Sequence, residues 1–361
     1  MAKSKKSTHK IAVIMGDGIG KEVVPEGIRV VDAAAKRFGF EMKWEHFPWS
    51  CEHYLSTGVM MPPDALETLK RYDAIFLGAV GDPRVPEEVP VGGLLLQIRK
   101  GFRQYVNLRP IKAMRGIQSP LRDAAPGRID FVVVRENNEG EYSTVGGLIY
   151  AGTEQETAIQ ESIFTKAGTE RVVRFAFELA AKRPKKHVTS ATKSNALVHS
   201  MTFWDKIFKS ISREYPSIRA DQLHVDAFCA MLVLRPERYD VIVASNLFGD
   251  ILSDLGAAVA GSIGIAPAAN LNPEREFPSM FEPVHGSAPD IAGKGIANPV
   301  GTILSGAMML DHLGHPEAAR AVEKAVEQGL AEGKALTQDL SGKASTGEAG
   351  AVITKFVKEG S

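Results

Sequence analysis

Short apolar runs recur along this chain, and each ends in glycine or in polar turn formers. Ile11-Ala12-Val13-Ile14-Met15, Ala74-Ile75-Phe76-Leu77-Gly78-Ala79-Val80-Gly81, Phe131-Val132-Val133-Val134 and Tyr239-Asp240-Val241-Ile242-Val243-Ala244 are the main ones. Continuous apolar runs of this length suit strands buried on both faces. Between them lie segments with helical periodicity. Val23, Gly27, Val30, Val31 and Ala34 place a helix from about Val23 to Arg37. Pro62-Pro63 opens another through Leu66, Leu69 and Lys70, and Leu94 through Lys100 begins a third. Strands alternating with helices require a mostly parallel α/β sheet. Met42 to Phe47 alternates as a strand, Tyr105 to Pro110 is extended, and the Pro/Gly-rich stretch Asp82 to Gly93 is expected to be an irregular loop. Near the end, Gly301 to Leu313 and a segment with Ala319, Val322, Ala325 and Val326 read as helices.

A length of 361 residues allows one large or two ordinary domains. Lys+Arg 43 balances Asp+Glu 43, which argues against a nucleic-acid or polyanion binder. The two cysteines, Cys51 and Cys229, form neither a metal motif nor a disulfide framework and suit a reducing cytoplasm. Met1 to Thr8 is expected to be a disordered basic tail, because Ile11 to Met15 is too short for a signal h-region. The longest uncharged run, Leu255 to Pro273, is broken by Gly, Pro and Asn and makes a poor membrane span.

The strand Tyr239–Ala244 runs into Ser245-Asn246-Leu247-Phe248-Gly249-Asp250-Ile251-Leu252-Ser253-Asp254. Ser245 or Asn246 can cap a helix here. Leu247, Ile251, Leu252, Leu255 and Val259 then share an apolar stripe, and Asp250 lies one turn below Asp254. Like charges at that spacing repel, and a divalent cation is the simplest compensation. A solvated acidic face is the plainer reading of a bare Asp-x-x-x-Asp. The setting favours a site: the helix is otherwise almost uncharged and opens at the carboxyl end of a buried strand.

Other strand ends carry chemistry too. Arg99, Arg109 and Arg135 sit in three separate elements, each beside an apolar run, and form a candidate carboxylate-binding set. Lys193 ends the run Val188 to Asn195 and is a candidate proton acceptor, and Asp226 ends another strand at Leu223 to Ala227. Phe281 to Gly293 is a loop dense in turn formers. By contrast, Gly16-Asp17-Gly18-Ile19-Gly20-Lys21 is not a dinucleotide fingerprint, since Lys21 stands where G-x-G-x-x-G needs glycine. A tight strand-to-helix turn is the better reading.

These motifs in combination resemble the metal-dependent β-decarboxylating dehydrogenases, the isocitrate/3-isopropylmalate dehydrogenase family. The carriers are Gly16 through Gly20, Arg99/Arg109/Arg135, Arg135-Glu136-Asn137 through Tyr142, Thr192-Lys193-Ser194-Asn195, Asn246 through Asp254, and His285 through Asp290. The likeness extends from Ile11 to about Leu313. Within the family the chain is similar to the tartrate dehydrogenase / D-malate dehydrogenase (decarboxylating) branch, through Arg135 to Ser143 with Gly146-Gly147, Ser190 to Asn195, and Phe277 to His285. It departs at Val91-Gly92-Gly93, where that branch often carries an aromatic residue.

The resemblance implies an isopropylmalate-dehydrogenase-like α/β fold in two domains, with a parallel-rich sheet and a non-Rossmann NAD site in a cleft. Residues 1–105 and 261–361 would form the large domain, and 106–260 the small domain with the dimer interface. It assigns Arg99, Arg109 and Arg135 to the substrate carboxylates, with Leu95 and Leu96 in the side pocket. Asp226, Asp250 and Asp254 would hold Mn²⁺ or Mg²⁺, with K⁺ as a candidate monovalent ion. Asp226 and Lys193 would act across a homodimer interface, Lys193 as base, while Tyr142 would protonate the enolate carbon. His285, Gly286, Ser287, Ala288, Pro289, Asp290 and Asn298 would hold the adenosine of NAD, and Asn195 the nicotinamide. The activity implied is oxidative decarboxylation of a 2-hydroxy dicarboxylic acid, D-malate first and tartrate second, with 3-isopropylmalate as the alternative. A catalytically silent binding homologue is the rival of a different class. No nucleic-acid or membrane partner is expected.

Overall fold

The computed structural model describes residues 7–122 and 127–360. The chain forms two compact units. The first takes the described residues through Gln104, those of Lys112–Gly127, and those from Ala257 on; the second takes Tyr105–Ile111 and Arg128–Gly256. The expectation that 106–260 forms one continuous segment differs at the described residues of Lys112–Gly127 and at 257–260, which belong to the first unit.

The chain enters the first unit with β1 (Thr8–Gly16), β2 (Glu41–His46) and β3 (Ala74–Ala79). The second unit holds β4 (Val106–Lys112), β5 (Asp130–Glu136), a hairpin of β6 (Gly146–Ile149) and β7 (Thr157–Gln160), then β8 (His187–Thr192), β9 (Arg219–His224) and β10 (Val241–Ala244). β11 (Pro267–Leu271) and β12 (Ser279–Pro283) return to the first unit.

Strand order in the first unit is β2-β1-β3-β12-β11, parallel except for the last pair. Phe76 is the centre of that layer, in register with both Val13 and Phe281 and fully buried. Strand order in the second unit is β4-β5-β10-β8-β9, with β5-β10, β10-β8 and β8-β9 all parallel. Parallel neighbours demand crossovers, which the helices Lys166–Ala181 and Ser200–Ser212 supply. Their core includes Trp204, whose indole N–H donates to Ser190 Oγ at 2.9 Å.

Several elements differ from expectation. Thr8, assigned to the tail, begins β1; Met1 to Lys6 lie outside the described residues. Asp82 to Gly93 is not irregular throughout. Helical structure starts at Glu88, widens to a π-helical turn over Val91–Leu95, and continues as Leu96–Gly101. Leu94 and Ile98 are fully buried, so packing overrides the Pro/Gly content. Beyond the helix Pro316–Ala331 the chain adds Thr346–Glu359, capped by Ser345 and Glu348 in a reciprocal box. No helix among the described residues is long and apolar enough to cross a membrane.

Candidate active site

Strand register builds the second unit's site. β5 and β10 run parallel with Arg135 opposite Ala244, so Arg135 ends beside the start of the helix Asn246–Ala260. The helix can lie against the arginine stem because position 249 is glycine: a Cβ there would fall 2.6 Å from Arg135 Cγ. Its buried face is Phe248, Leu252, Ser253, Ala257 and Val259. The expected stripe is therefore rotated: Leu247 and Leu255 are half-buried and Ile251 is 45% exposed. The rotation turns Asn246, Asp250, Ser253 and Asp254 toward the arginines.

Arg135 donates to Asn246 Oδ1 from Nε (3.1 Å) and Nη2 (2.7 Å), and its Nη1 pairs with Asp250. Arg109, from β4, donates to Asn107 Oδ1 (2.6 Å) and Ser253 Oγ (2.7 Å). Its Nη1 lies 3.2 Å from Asp250 and 3.3 Å from Asp254. Tyr142 donates from its hydroxyl to Asp250 Oδ2 at 3.0 Å, and its ring lies under the Arg135 guanidinium at 5.5 Å. Burial, then the Asp250 charge, push the Tyr142 phenol above its usual pKa, so it holds its proton at neutral pH. Burial and the Asp250 charge likewise raise the Asp254 carboxyl, against the pull of Arg109.

The loop carrying Tyr142 is anchored on the same helix. Glu141 accepts from Ser245 Oγ (2.7 Å) and from the Leu247 amide (3.1 Å), satisfying one free amide of the helix's first turn. Glu136 holds the turn before it, accepting from the Asn138 amide (3.0 Å) and the Glu139 amide (2.7 Å). Burial raises the Glu136 carboxyl to about 7 from its ordinary 4.5, against those hydrogen bonds. Between these two pH values the native chain keeps a proton that the unfolded chain has lost, so stability falls as pH rises. The difference is on the order of 3 kcal/mol. Urea unfolding from pH 5 to 8 will show this loss in the wild type and a flatter profile in Glu136→Gln. Equal pH slopes would refute it.

Lys193 and Asp226 form a separate pair. Lys193 follows β8, Asp226 lies in the first turn of the helix Val225–Leu234, and Lys193 Nζ donates to Asp226 Oδ1 at 2.7 Å. That bond holds the Asp226 carboxyl below its ordinary pKa. Asn195 is exposed nearby in sequence. Among the described residues of one chain, no three His, Cys, Asp or Glu side chains gather as a metal site. The three aspartates therefore stand as Asp250 with Asp254, and Asp226 apart. The chemistry of Asp250 and Asp254, two hard carboxylates on adjacent turns, fits Mn²⁺ or Mg²⁺.

The first unit carries the other predicted residues. Arg99 donates to Glu282 Oε1 at 2.7 Å, and the same oxygen accepts from Asn270 at 2.6 Å. Leu95 packs partly buried against the core and Leu96 is half-buried. The Gly16–Gly20 turn serves as a junction. Asp17, buried, accepts from the Cys51 amide at 3.0 Å and the Gly81 amide at 3.1 Å. Ile19 N–H donates to Ser287 O at 2.9 Å. Gly18 has φ +52° and a Cβ would lie 2.0 Å from that same oxygen, so glycine is required. The turn thus holds His285 through Asp290 in place. Beside this loop is a cavity of about 770 Å³, lined by Asp82, Arg84, Val85, Gly286, Ser287 and Pro289 among others.

His285 Nδ1 is 3.0 Å from Gly286 O, so its proton sits there and Nε2 is an acceptor. Among the described residues Nε2 is shielded from solvent with no partner, and burial lowers the imidazole's pKa, keeping it neutral. A buried acceptor without a donor fits the exocyclic amine of adenine. Asp290 is exposed; Asn298 is buried and donates to Asp339 at 3.0 Å.

Sequence reasoning gave Asn246 only a capping role and gave Ser253, Glu141 and Glu282 no role. Asn246 had a signal: it occupies the same i, i+4, i+8 row as Asp250 and Asp254.

Residues 10–355 match the isocitrate/isopropylmalate dehydrogenase family, and the chain belongs to that family. More particularly, it is 56% identical to the D-malate dehydrogenase [decarboxylating] of Escherichia coli (strain K12), over 97% of this chain and 99% of that one. It is 54% identical to the tartrate dehydrogenase/decarboxylase of Pseudomonas putida, over 96% and 97%. Among solved structures, an isocitrate dehydrogenase from Methylococcus capsulatus superposes with a TM-score of 0.87 at 35% identity, over 97% of this chain and 99% of that one.

Proposed function

We propose that this chain is an NAD- and divalent-metal-dependent dehydrogenase that converts D-malate to pyruvate and CO₂, and also takes tartrate. The observation that carries the reading is the single cluster of Arg109, Arg135, Asp250, Asp254 and Tyr142: two guanidiniums, two carboxylates and a protonated phenol. The names of the two curated relatives support the substrate choice.

In this reading Arg99, Arg109 and Arg135 bind the substrate carboxylates. Asp250 and Asp254 hold the cation, with Asp226 completing the set from a second copy of the chain. A divalent cation there supplies Lewis-acid stabilisation of negative charge on the substrate's C2 oxygen. Lys193 of that second copy takes the hydroxyl proton, and NAD⁺, when bound, would accept the hydride from C2. The C3–C4 bond then breaks, CO₂ departs, and Tyr142 delivers its proton to C3. Support for the homodimer comes from the separation of Lys193 and Asp226 from Asp250 within one chain. Exposed apolar side chains on the two helices that carry Asp226 and Asp250, Leu234 at 65% and Ile251 at 45%, offer it a surface. The free thiols Cys51 and Cys229 suit a reducing cytoplasm.

3-Isopropylmalate remains the second reading, because half-buried Leu95 and Leu96 suit an isopropyl group. Isocitrate is disfavoured, since Gly92 to Leu96 offers no Ser, Asn or basic side chain to a third carboxylate. The test is NADH formation with D-malate, tartrate and 3-isopropylmalate, with Mn²⁺ and then with excess chelator. Chelator-sensitive turnover fastest on D-malate supports the proposal; faster turnover on 3-isopropylmalate reassigns the substrate.

Cofactor choice rests on Asp290. Its carboxylate accepts from a ribose 2′-hydroxyl and repels a 2′-phosphate. Wild-type kcat/KM is expected to favour NAD over NADP about a hundredfold, and Asp290→Ser to reduce that ratio at least about tenfold. An unchanged ratio in the variant would remove Asp290 from cofactor discrimination.

A further inference from the structure

The helix Ser200–Ser212 carries a feature that dehydrogenase chemistry does not use. Lys206, Lys209 and Arg213 are spaced i, i+3 and i+7, so they line one face, and all three are exposed. Their side-chain nitrogens make no hydrogen bond or ion pair among the described residues. The nearby acids are already engaged. Arg174 takes both oxygens of Glu214, at 2.6 and 2.8 Å, and Asp205 is buried and accepts from Gln222 at 2.8 Å. Among the described residues Asp205 is bonded only to a neutral amide, so the three neighbouring cations face one carboxylate and outnumber it, although the chain as a whole has no net charge.

The cations line a cavity of about 600 Å³ together with Ser194, Thr202, Ser210 and the Asp205 carboxyl. Among the described residues both serine hydroxyls are without a hydrogen-bond partner. The site therefore offers cations and hydroxyl donors, the set that phosphate oxygens require. From Lys206 to Arg213 the row runs about 10 Å along the helix axis, longer than one phosphate group. No aromatic residue lines the cavity, so it holds no platform for a base.

We propose that this cavity is a binding site for an oligophosphate chain, as carried by a nucleoside triphosphate or by inorganic tripolyphosphate. The site is independent of the dehydrogenase assignment. Ser194 directly follows Lys193, so occupancy bears on the segment that carries the Lys193–Asp226 pair.

Isothermal titration of the full-length protein with tripolyphosphate tests this, in metal-free buffer and with saturating NAD to occupy the loop at His285. The wild type is expected to bind saturably, one per chain, with sulfate at equal ionic strength failing to reproduce the heat. The triple variant Lys206→Gln/Lys209→Gln/Arg213→Gln should bind at least about tenfold more weakly, with its thermal midpoint unchanged. ATP tested in the same way distinguishes the nucleotide from the inorganic source, and binding of either one supports the site. Equal affinity in the variant would overturn the proposal. So would heat that sulfate matches, or wild-type binding abolished by NAD.

Discussion

Asp250→Asn should leave a folded protein whose metal-dependent NADH formation falls by about a thousandfold, the loss of several kcal/mol of charge stabilisation. Asp250 is the common partner of the site: Arg135, Arg109 and Tyr142 all meet its carboxylate. The amide keeps an acceptor for these donors but removes a charge from the cation. Arg135 retains Asn246, and Arg109 retains Ser253, Asn107 and Asp254, so neither arginine loses all its acceptors. The stability cost is accordingly limited to about 2 kcal/mol, read by chemical denaturation. Steady-state rates against Mn²⁺ concentration supply the check. Turnover within about tenfold of wild type at saturating metal would dismiss Asp250 as a ligand.

Lys193→Met should reduce turnover by about a thousandfold as well, at the middle of the range for removal of a general base. The larger result comes from mixing. If Lys193 serves the partner's site, a mixed Lys193→Met and Asp250→Asn dimer has one intact site, built from Asp250 of the first chain and Lys193 of the second, and one that lacks both groups. The doubly impaired site stays silent. Subunits exchanged at random by denaturing and refolding together would then recover about a quarter of wild-type activity from two nearly inactive parents, by the isologous symmetry of a twofold dimer. Recovery no greater than the sum of the parents, with dimers present by light scattering, would place Lys193 and Asp250 in separate roles.

The strand-helix alternation was legible because buried parallel strands leave continuous apolar runs, as at Ala74–Ala79 and Val241–Ala244. The helix Asn246–Ala260 was equally plain, but not its rotation. Which side turns inward is decided by Gly249 resting on Arg135, a contact more than a hundred residues apart in the chain. The helix Thr346–Glu359 left a local signal, Ser345-x-x-Glu348, that reading for motifs passed over. The irregular look of Asp82–Gly93 misled because Leu94 and Ile98 supply burial that glycine and proline counts do not register. At the site, residue types were readable and pairings were not. Arg99 met Glu282 rather than an open space, and the two lone charges Lys193 and Asp226 proved to be each other's partner.

Glu141 ties together two functions that chemistry would otherwise allow to vary apart. It fastens the segment bearing Tyr142 to the first turn of the helix bearing Asp250. The proposed proton donor and the proposed metal ligand therefore share one mechanical base. Any sequence change that tilts this helix moves both by the same hinge, so relatives that shift their metal geometry must re-aim their acid in the same step. Diversification within such a fold has to come from groups mounted elsewhere, and the helical turn at Val91–Leu95 is mounted on a different unit.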